Sequence, residues 1–211
     1  MNIYISILRF IRLWSFKHTK ITIIFVKMYP MQHLSEFKHL LDSCIAGDRE
    51  AQKVLYDQLA SRMFPVCIRY VGDRMLAEDV LQEGFITLFT KLKSYKGDGS
   101  FDGWARRIFV TTALMSLRKK DALKMSVVLD AVKGMKAETT TQVQNIGYKE
   151  LMELVVSLPP GFRTVFNMYA IEGYSHKEIA EALGITETTS RTQFSRARLW
   201  LQNKIKEREN V

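Results

Sequence analysis

Cysteine is scarce: Cys44 and Cys67 are the only two in 211 residues. That is too few for a disulfide framework, so a reducing, cytoplasmic setting is expected. Four prolines and 11 glycines exclude a collagen-like or low-complexity chain. Long apolar runs are absent as well. The nearest approach lies in residues 1–27, which hold no acidic residue, where Ile3 to Trp14 is broken by Arg9 and Arg12 and a short run follows from Ile21 to Val26. A spanning helix needs about 20 mostly apolar residues, and a charge at its centre costs ~2.5–3.5 kcal/mol. No small-residue cleavage site follows, which argues against a secretory signal. Two readings stand for residues 1–34: an amphipathic helix lying on a membrane surface, or an extension ahead of a true start at Met28 or Met31. No strand-like alternation occurs within 35–207.

Catalytic signatures are lacking too. The chain has no phosphate-binding glycine loop, no Gly-x-Ser-x-Gly elbow and no His-Glu-x-x-His. Asp98 and Asp102 lack the spacing of a calcium loop, and His33, His39 and Cys44 form no paired metal motif. No enzyme activity, cofactor, metal or small-molecule substrate is expected.

What is present is charge, unevenly placed. The formal net charge is +9, with 47% apolar and 25% charged residues, which favours an anionic partner for a folded, soluble chain. Residues 28–90 carry a net −3, whereas residues 91–124 carry +6. The middle of the protein is therefore polarised, acidic before Leu92 and basic after it.

The remaining pattern is helical. Phe37, Leu40, Leu41, Cys44 and Ile45 form one apolar stripe. Asp48 is placed to cap a second helix carrying Ala51, Val54, Leu55 and Leu59, which Pro65 is expected to kink or restart. Asp73 precedes a third helix with Ala77, Leu81, Phe85, Leu88 and Leu92 on one face. After the turn cluster Lys96-Gly97-Asp98-Gly99-Ser100, a fourth helix carries Phe101, Trp104, Ile108, Leu114 and Leu117. Periodicity fades from 121 to 147 and returns near Tyr148, with Pro159-Pro160 ending one helix and Gly173 the next. The expectation is an all-α protein of two small helical domains, 35–120 and 148–211, joined by a flexible linker of 27 residues. At ~3.3 Å per residue that linker reaches on the order of 90 Å, beyond the ~70 Å of two DNA turns, so both units can touch one duplex and reinforce each other's binding.

Ser175-His176-Lys177-Glu178 has capping-box spacing. Ile179, Ala180 and Leu183 face inward, Gly184 permits a sharp turn, and Thr186 caps a long helix from Glu187 to about Lys206. This is a helix-turn-helix, whose second helix fits a major groove; a plain helical hairpin with a solvated polar face is the competing reading. Thr188, Arg191, Thr192 and Ser195 share the exposed stripe. Arg191 is the best placed for a base edge, and Arg196 and Arg198 for phosphates. Ser190 stands where an apolar residue usually packs, and His176 is expected to be exposed.

Upstream, Glu78, Asp79, Gln82 and Glu83 lie on the outer side of the third helix. In the next helix Phe101, Trp104 and Phe109 are interleaved with Arg106, Arg107, Arg118, Lys119, Lys120 and Lys124, a mixture suited to single-stranded DNA. Trp104 shares a stripe with Ile108 and is assigned to packing. Phe101, beside the glycine turn, is expected to be freer to meet a base.

The order Ala77-Glu78-Asp79-Val80-Leu81-Gln82-Glu83, Phe101-x-x-Trp104 through Leu117-Arg118, a linker and then the capped helix-turn-helix resembles an extracytoplasmic-function sigma factor of the sigma-70 family. The stretch Tyr169 to Arg198 is especially similar, and the resemblance covers about residues 35–207. It implies that Glu78, Asp79, Gln82 and Glu83 bind core RNA polymerase. It implies that Ser100, Phe101, Asp102, Arg106, Arg107, Thr111, Arg118 and Lys119 open and hold the −10 promoter element. It assigns the −35 element to Thr188, Arg191, Thr192, Ser195, Arg196 and Arg198. Many relatives have Asn where this chain has Thr111, so their base preference is not carried over. Promoter DNA, core polymerase and an anti-sigma factor are the partners the resemblance implies. An ordinary helix-turn-helix regulator acting without polymerase is the alternative function.

Overall fold

The computed structural model describes residues 34–121 and 147–209. Helices α1 (Leu34–Ala46), α2 (Arg49–Val71), α3 (Arg74–Lys91) and α4 (Phe101–Asp121) form the first group, with a single 3₁₀ turn, Leu92–Ser94, after α3. The second group comprises α5 (Tyr148–Ser157), α6 (Pro160–Phe166), a wide π-helical turn Asn167–Ile171, α7 (His176–Leu183) and α8 (Glu187–Glu209). Among the described residues there is no strand. Residues 1–33 and the linker 122–146, with the expectations attached to them, lie outside the described residues.

Local chemistry sets most of the helix ends. The Asp48 carboxylate accepts the backbone N–H groups of Glu50 and Ala51 at 2.9 and 3.3 Å, and Asp73 accepts that of Leu76 at 2.8 Å. Each satisfies donors that a helix N-terminus leaves without a partner. Gly72, at φ +73°, closes α2 in the left-handed conformation. Of the two expectations for Pro65, the restart needs correcting, because α2 runs continuously from Arg49 to Val71 through it. Pro65 and Ser61, whose carbonyl loses its helical donor, both lie on the solvent side, where water replaces the missing bond.

The first core is built from Leu55, Leu59, Met63 and Tyr70 of α2, Ala77, Val80 and Leu88 of α3, and Ala105, Phe109 and Ala113 of α4. Gly84 lets α3 approach α4 closely: a Cβ there would lie 2.3 Å from Cδ1 of Phe109. Leu154, Leu158, Phe162, Ala197, Leu201 and Ile205 make a second core.

The two groups do not stand apart. Val165, Met168 and Ile179 of the second group belong to the first core. Arg163, 8% exposed, donates from Nε to the carbonyl of Tyr70 at 3.0 Å and from Nη2 to that of Val71 at 3.1 Å. Asn167 Nδ2 donates to the Arg69 carbonyl at 2.9 Å. Three consecutive carbonyls at the end of α2 are thus satisfied from the other half of the chain, a pairing that local periodicity does not encode.

Candidate nucleic-acid interface

In the second group, Ser175 and Glu178 form the reciprocal cap that starts α7: Ser175 N–H donates to Glu178 Oε2 at 2.8 Å, and Glu178 N–H to Ser175 Oγ at 3.2 Å. The Ser175 backbone N–H, and then its hydroxyl, hold the Glu178 carboxyl below its ordinary pKa. Gly184 turns the chain at φ +68°, and the Thr186 hydroxyl accepts the Thr189 N–H at 3.0 Å to start α8.

The angle between α7 and α8 is fixed by a cluster that sequence reading placed wrongly. His176 is half-buried, not exposed; its ring stacks on Tyr169 with centroids 4.0 Å apart and planes 13° apart. Its Nδ1 shares a 2.9 Å hydrogen bond with Ser190 Oγ, and Ser190 is fully buried. A polar residue is accommodated at that crossing because the imidazole satisfies its hydroxyl. Phe194 closes the cluster, 4.6 Å from Tyr169. Burial, and then the nearby Arg191 cation, lower the His176 pKa, with Glu187 opposing.

Thr188, Arg191, Thr192 and Ser195 all lie exposed on α8. The Thr192 hydroxyl is turned back to the Thr188 carbonyl at 2.9 Å, and Arg191 pairs with Glu187 one turn earlier. Breaking an exposed pair of that kind costs little, so Arg191 is available to a base edge. Arg196 and Arg198 are half-buried.

In the first group the four acidic-helix candidates share one exposed face of α3, with Glu78 held by Arg74 at 3.1 Å. Two residues that charge counting overlooked extend that face. Met75 is 77% exposed and Ile86 68% exposed; with Asp79, Gln82 and Glu83 they follow the 75–79–82–86 spacing of one helical stripe. That spacing was legible in the sequence. The face is therefore acidic with apolar ends, as a protein-docking surface would be.

The basic helix needs more correction. Phe101 is 8% exposed and packs edge-on against Phe37 and Tyr95, both 5.2 Å away. It belongs to the core, and Trp104, assigned to packing, does pack against that core while keeping partial exposure. The reason is α1, whose Phe37 covers the ring, a contact remote in sequence. Ser100 caps α4 by accepting the Gly103 N–H at 3.1 Å, and Asp102 pairs with Arg62 at 2.5 Å. Arg107, Thr111 and Lys119 are exposed, the Thr111 hydroxyl returning to the Arg107 carbonyl at 2.8 Å. Met115, 57% exposed, falls in the same stripe and was also overlooked. Arg106 and Arg118 are engaged by the second group: Arg106 lies 3.6 Å from Glu172, and Arg118 donates to the Ala182 carbonyl.

A capped helix-turn-helix with an open cation-and-hydroxyl face, packed on a bundle with separate acidic and basic faces, fits the class of helical DNA readers. Known proteins make the class specific. Residues 55–122 match the family Sigma-70 region 2, and residues 148–201 match Sigma-70, region 4. The chain is 31% identical over 154 residues to the ECF RNA polymerase sigma factor SigE of Mycolicibacterium smegmatis, covering 71% of this chain and 59% of that relative's length. It is 28% identical over 179 residues to the ECF RNA polymerase sigma-E factor of Escherichia coli K12, covering 79% of this chain and 92% of the relative. Among solved structures, the sigma factor RpoE of Bartonella quintana, crystallised with the anti-sigma factor NepR, superposes with a TM-score of 0.46 at 18% identity, covering 73% of this chain and 96% of that one. The chain belongs to the extracytoplasmic-function sigma factors of the sigma-70 family, the proteins that direct RNA polymerase in promoter recognition.

Proposed function

We propose that this chain binds core RNA polymerase through α3, reads a −35 element with α8 and holds the opened −10 strand against α4. In this reading residues 35–120 are the polymerase and −10 unit, 148–211 the −35 unit, and 121–147 the connection. Glu78, Asp79, Gln82 and Glu83, with Met75 and Ile86 at the ends of their stripe, meet the polymerase. Arg191 contacts base edges in the major groove, with Thr188, Thr192 and Ser195 beside it. Arg106, Arg107, Arg118 and Lys119 neutralise the strand backbone, and Thr111, with Met115 one turn on, faces the bases. The catalytic step belongs to the polymerase; this chain contributes binding energy and no chemistry of its own. It works in the cytoplasm, and an anti-sigma factor is its expected antagonist.

One observation carries the proposal: the acidic, apolar-ended face of α3 and the open polar face of α8 are both exposed, on opposite halves of one chain. Run-off transcription with purified core polymerase on a library of upstream sequences tests it. Sequence-selective transcripts that require both the chain and core are the expected result. Tight duplex binding without core, and no transcripts with it, would instead make the protein a free-standing regulator.

A further inference from the structure

The outward face of α8 carries a carboxylate where a surface that meets a polyanion has no evident use for one. Glu187, in the first turn, is exposed beside Thr188 and stands one turn before Arg191. The rotation of α8 that puts it there is fixed. Ser190, Ala197 and Leu201 are buried on the packed side, and the Ser190 hydroxyl shares a hydrogen bond with His176. Glu187, Thr188, Arg191, Thr192 and Ser195 therefore line one outward stripe. The charges of Glu187 and Arg191 cancel within it, so this stripe is built for more than bulk attraction to phosphate.

The cap of α8 is made without that carboxylate. The Thr186 hydroxyl accepts the Thr189 N–H at 3.0 Å and shares a 2.8 Å hydrogen bond with the Thr189 hydroxyl. Glu187 is turned along the helix instead, its Oε1 accepting from Nη2 of Arg191. In water an exposed pair of this kind is weak; inside a groove, where water is displaced, it is stronger. A guanidinium has five N–H donors, so a carboxylate on one leaves others for O6 and N7 of guanine while limiting where the fork can point. The second oxygen, Oε2, remains to meet a base. An anion among phosphates is repelled unless a donor meets it, and the base-edge donor that pairs with Glu is the N4 amino group of cytosine. One helical turn separates the two side chains, about 5.4 Å of rise, against about 3.4 Å between successive bases. The two contacts thus fall one or two base pairs apart.

We propose that Glu187 is a specificity-determining residue of the upstream element: it aims the Arg191 fork at a guanine and accepts the amino group of a cytosine one or two base pairs away. The rejecting half of this role matters as much as the attracting half. Opposite guanine O6 or thymine O4, acceptor faces acceptor, and a duplex with either base at that place is turned away. The role rests on the assignment of α8 to the −35 element.

The full-length chain with core polymerase, selecting from a promoter library randomised through the upstream element, tests this. Parent, Glu187→Gln, Glu187→Ala and Arg191→Ala are compared. Base preference is read as ratios within one selected pool, so it does not depend on the fraction of a variant that folds. The parent is expected to enrich a guanine with a cytosine one or two base pairs from it. Glu187→Gln, whose amide pairs with adenine, is expected to move that second position from cytosine to adenine by about tenfold. Glu187→Ala is expected to flatten the same position and to lower the guanine preference severalfold. Equal weakening on every sequence with base choice unchanged is what an acid that merely favours the helix start would give, and it overturns the proposal. Where Arg191→Ala changes the selected sequence and Glu187→Gln does not, α8 still reads the −35 element and Glu187 alone loses its role. Where Arg191→Ala and both Glu187 variants all select the parent's sequence, the assignment of α8 falls and the role of Glu187 falls with it.

Discussion

Replacing Gly84 with Ala exposes how closely α3 and α4 depend on each other. In an exposed helix interior this change stabilises, since Gly is about 0.8–1.0 kcal/mol less favourable than Ala. Gly84 is not exposed. The added methyl would sit 2.3 Å from Cδ1 and 2.4 Å from Cε1 of Phe109, far inside the ~3.5–4.0 Å at which carbon atoms attract. The ring has nowhere to go: Phe109 is fully buried and meets Phe85 edge-on at 5.1 Å. Inserting a methylene-sized group into a packed core costs about 1–3 kcal/mol. With two ring carbons overlapped the upper end applies, and after the propensity gain the net loss is about 2 kcal/mol. Urea unfolding followed by circular dichroism should show a lower midpoint with an unchanged slope. Phe109→Leu, costly alone, should cost less in the Gly84→Ala background, giving a coupling term in a double-mutant cycle. A midpoint that rises on Gly84→Ala would refute the close-approach argument.

The other predictions are briefer. Arg191→Ala should relax sequence preference in the upstream element by about 1–3 kcal/mol at one base pair, read as a flattened position in a selected promoter library; an unchanged profile removes Arg191 from base contact. The His176 pKa is lowered in the folded chain from its ordinary 6.5, so between the two values the unfolded chain binds the extra proton. Its contribution is full above pH 6.5 and is lost as pH falls through the folded value; His176→Gln should flatten the pH dependence of thermal stability below that point. Burial pushes the Cys67 thiol up to about 12, so native protein should resist alkylation at pH 8 while unfolded protein reacts; rapid labelling of Cys67 in the folded chain would contradict that burial.

Features that depend on neighbours in sequence were legible. Asp48, Asp73, Ser175 and Thr186 all cap the helices they precede, because a cap is decided within three residues. The stripe of Ala77, Leu81, Phe85, Leu88 and Leu92 is buried as periodicity required. What escaped depends on chain segments far apart. Phe101 looked free because Phe37, some sixty positions earlier, carries no local sign of covering it. His176 looked exposed for the same reason, its partner Ser190 being a turn and a helix away. Nothing in their own stretch marks Arg163, Asn167 and Glu172 as partners of residues at the end of α2. For Pro65 the restart fails because the carbonyl that loses its donor, on Ser61, faces solvent.

The π-helical turn at Asn167–Ile171 has a consequence for how this chain tolerates length changes. Glu172 N–H bonds back five residues, to the Asn167 carbonyl at 3.0 Å, so one residue more than usual is held within that coil. Each residue of an α-helix advances the azimuth by about 100°. Deleting a single residue there would let the coil tighten to an ordinary α-turn, which covers about the same arc with one residue fewer, whereas the same deletion in a regular helix would rotate everything beyond it by roughly that angle. The surplus residue is therefore slack stored in the coil, at a point where the chain can shorten without turning the contacts on either side of it out of line.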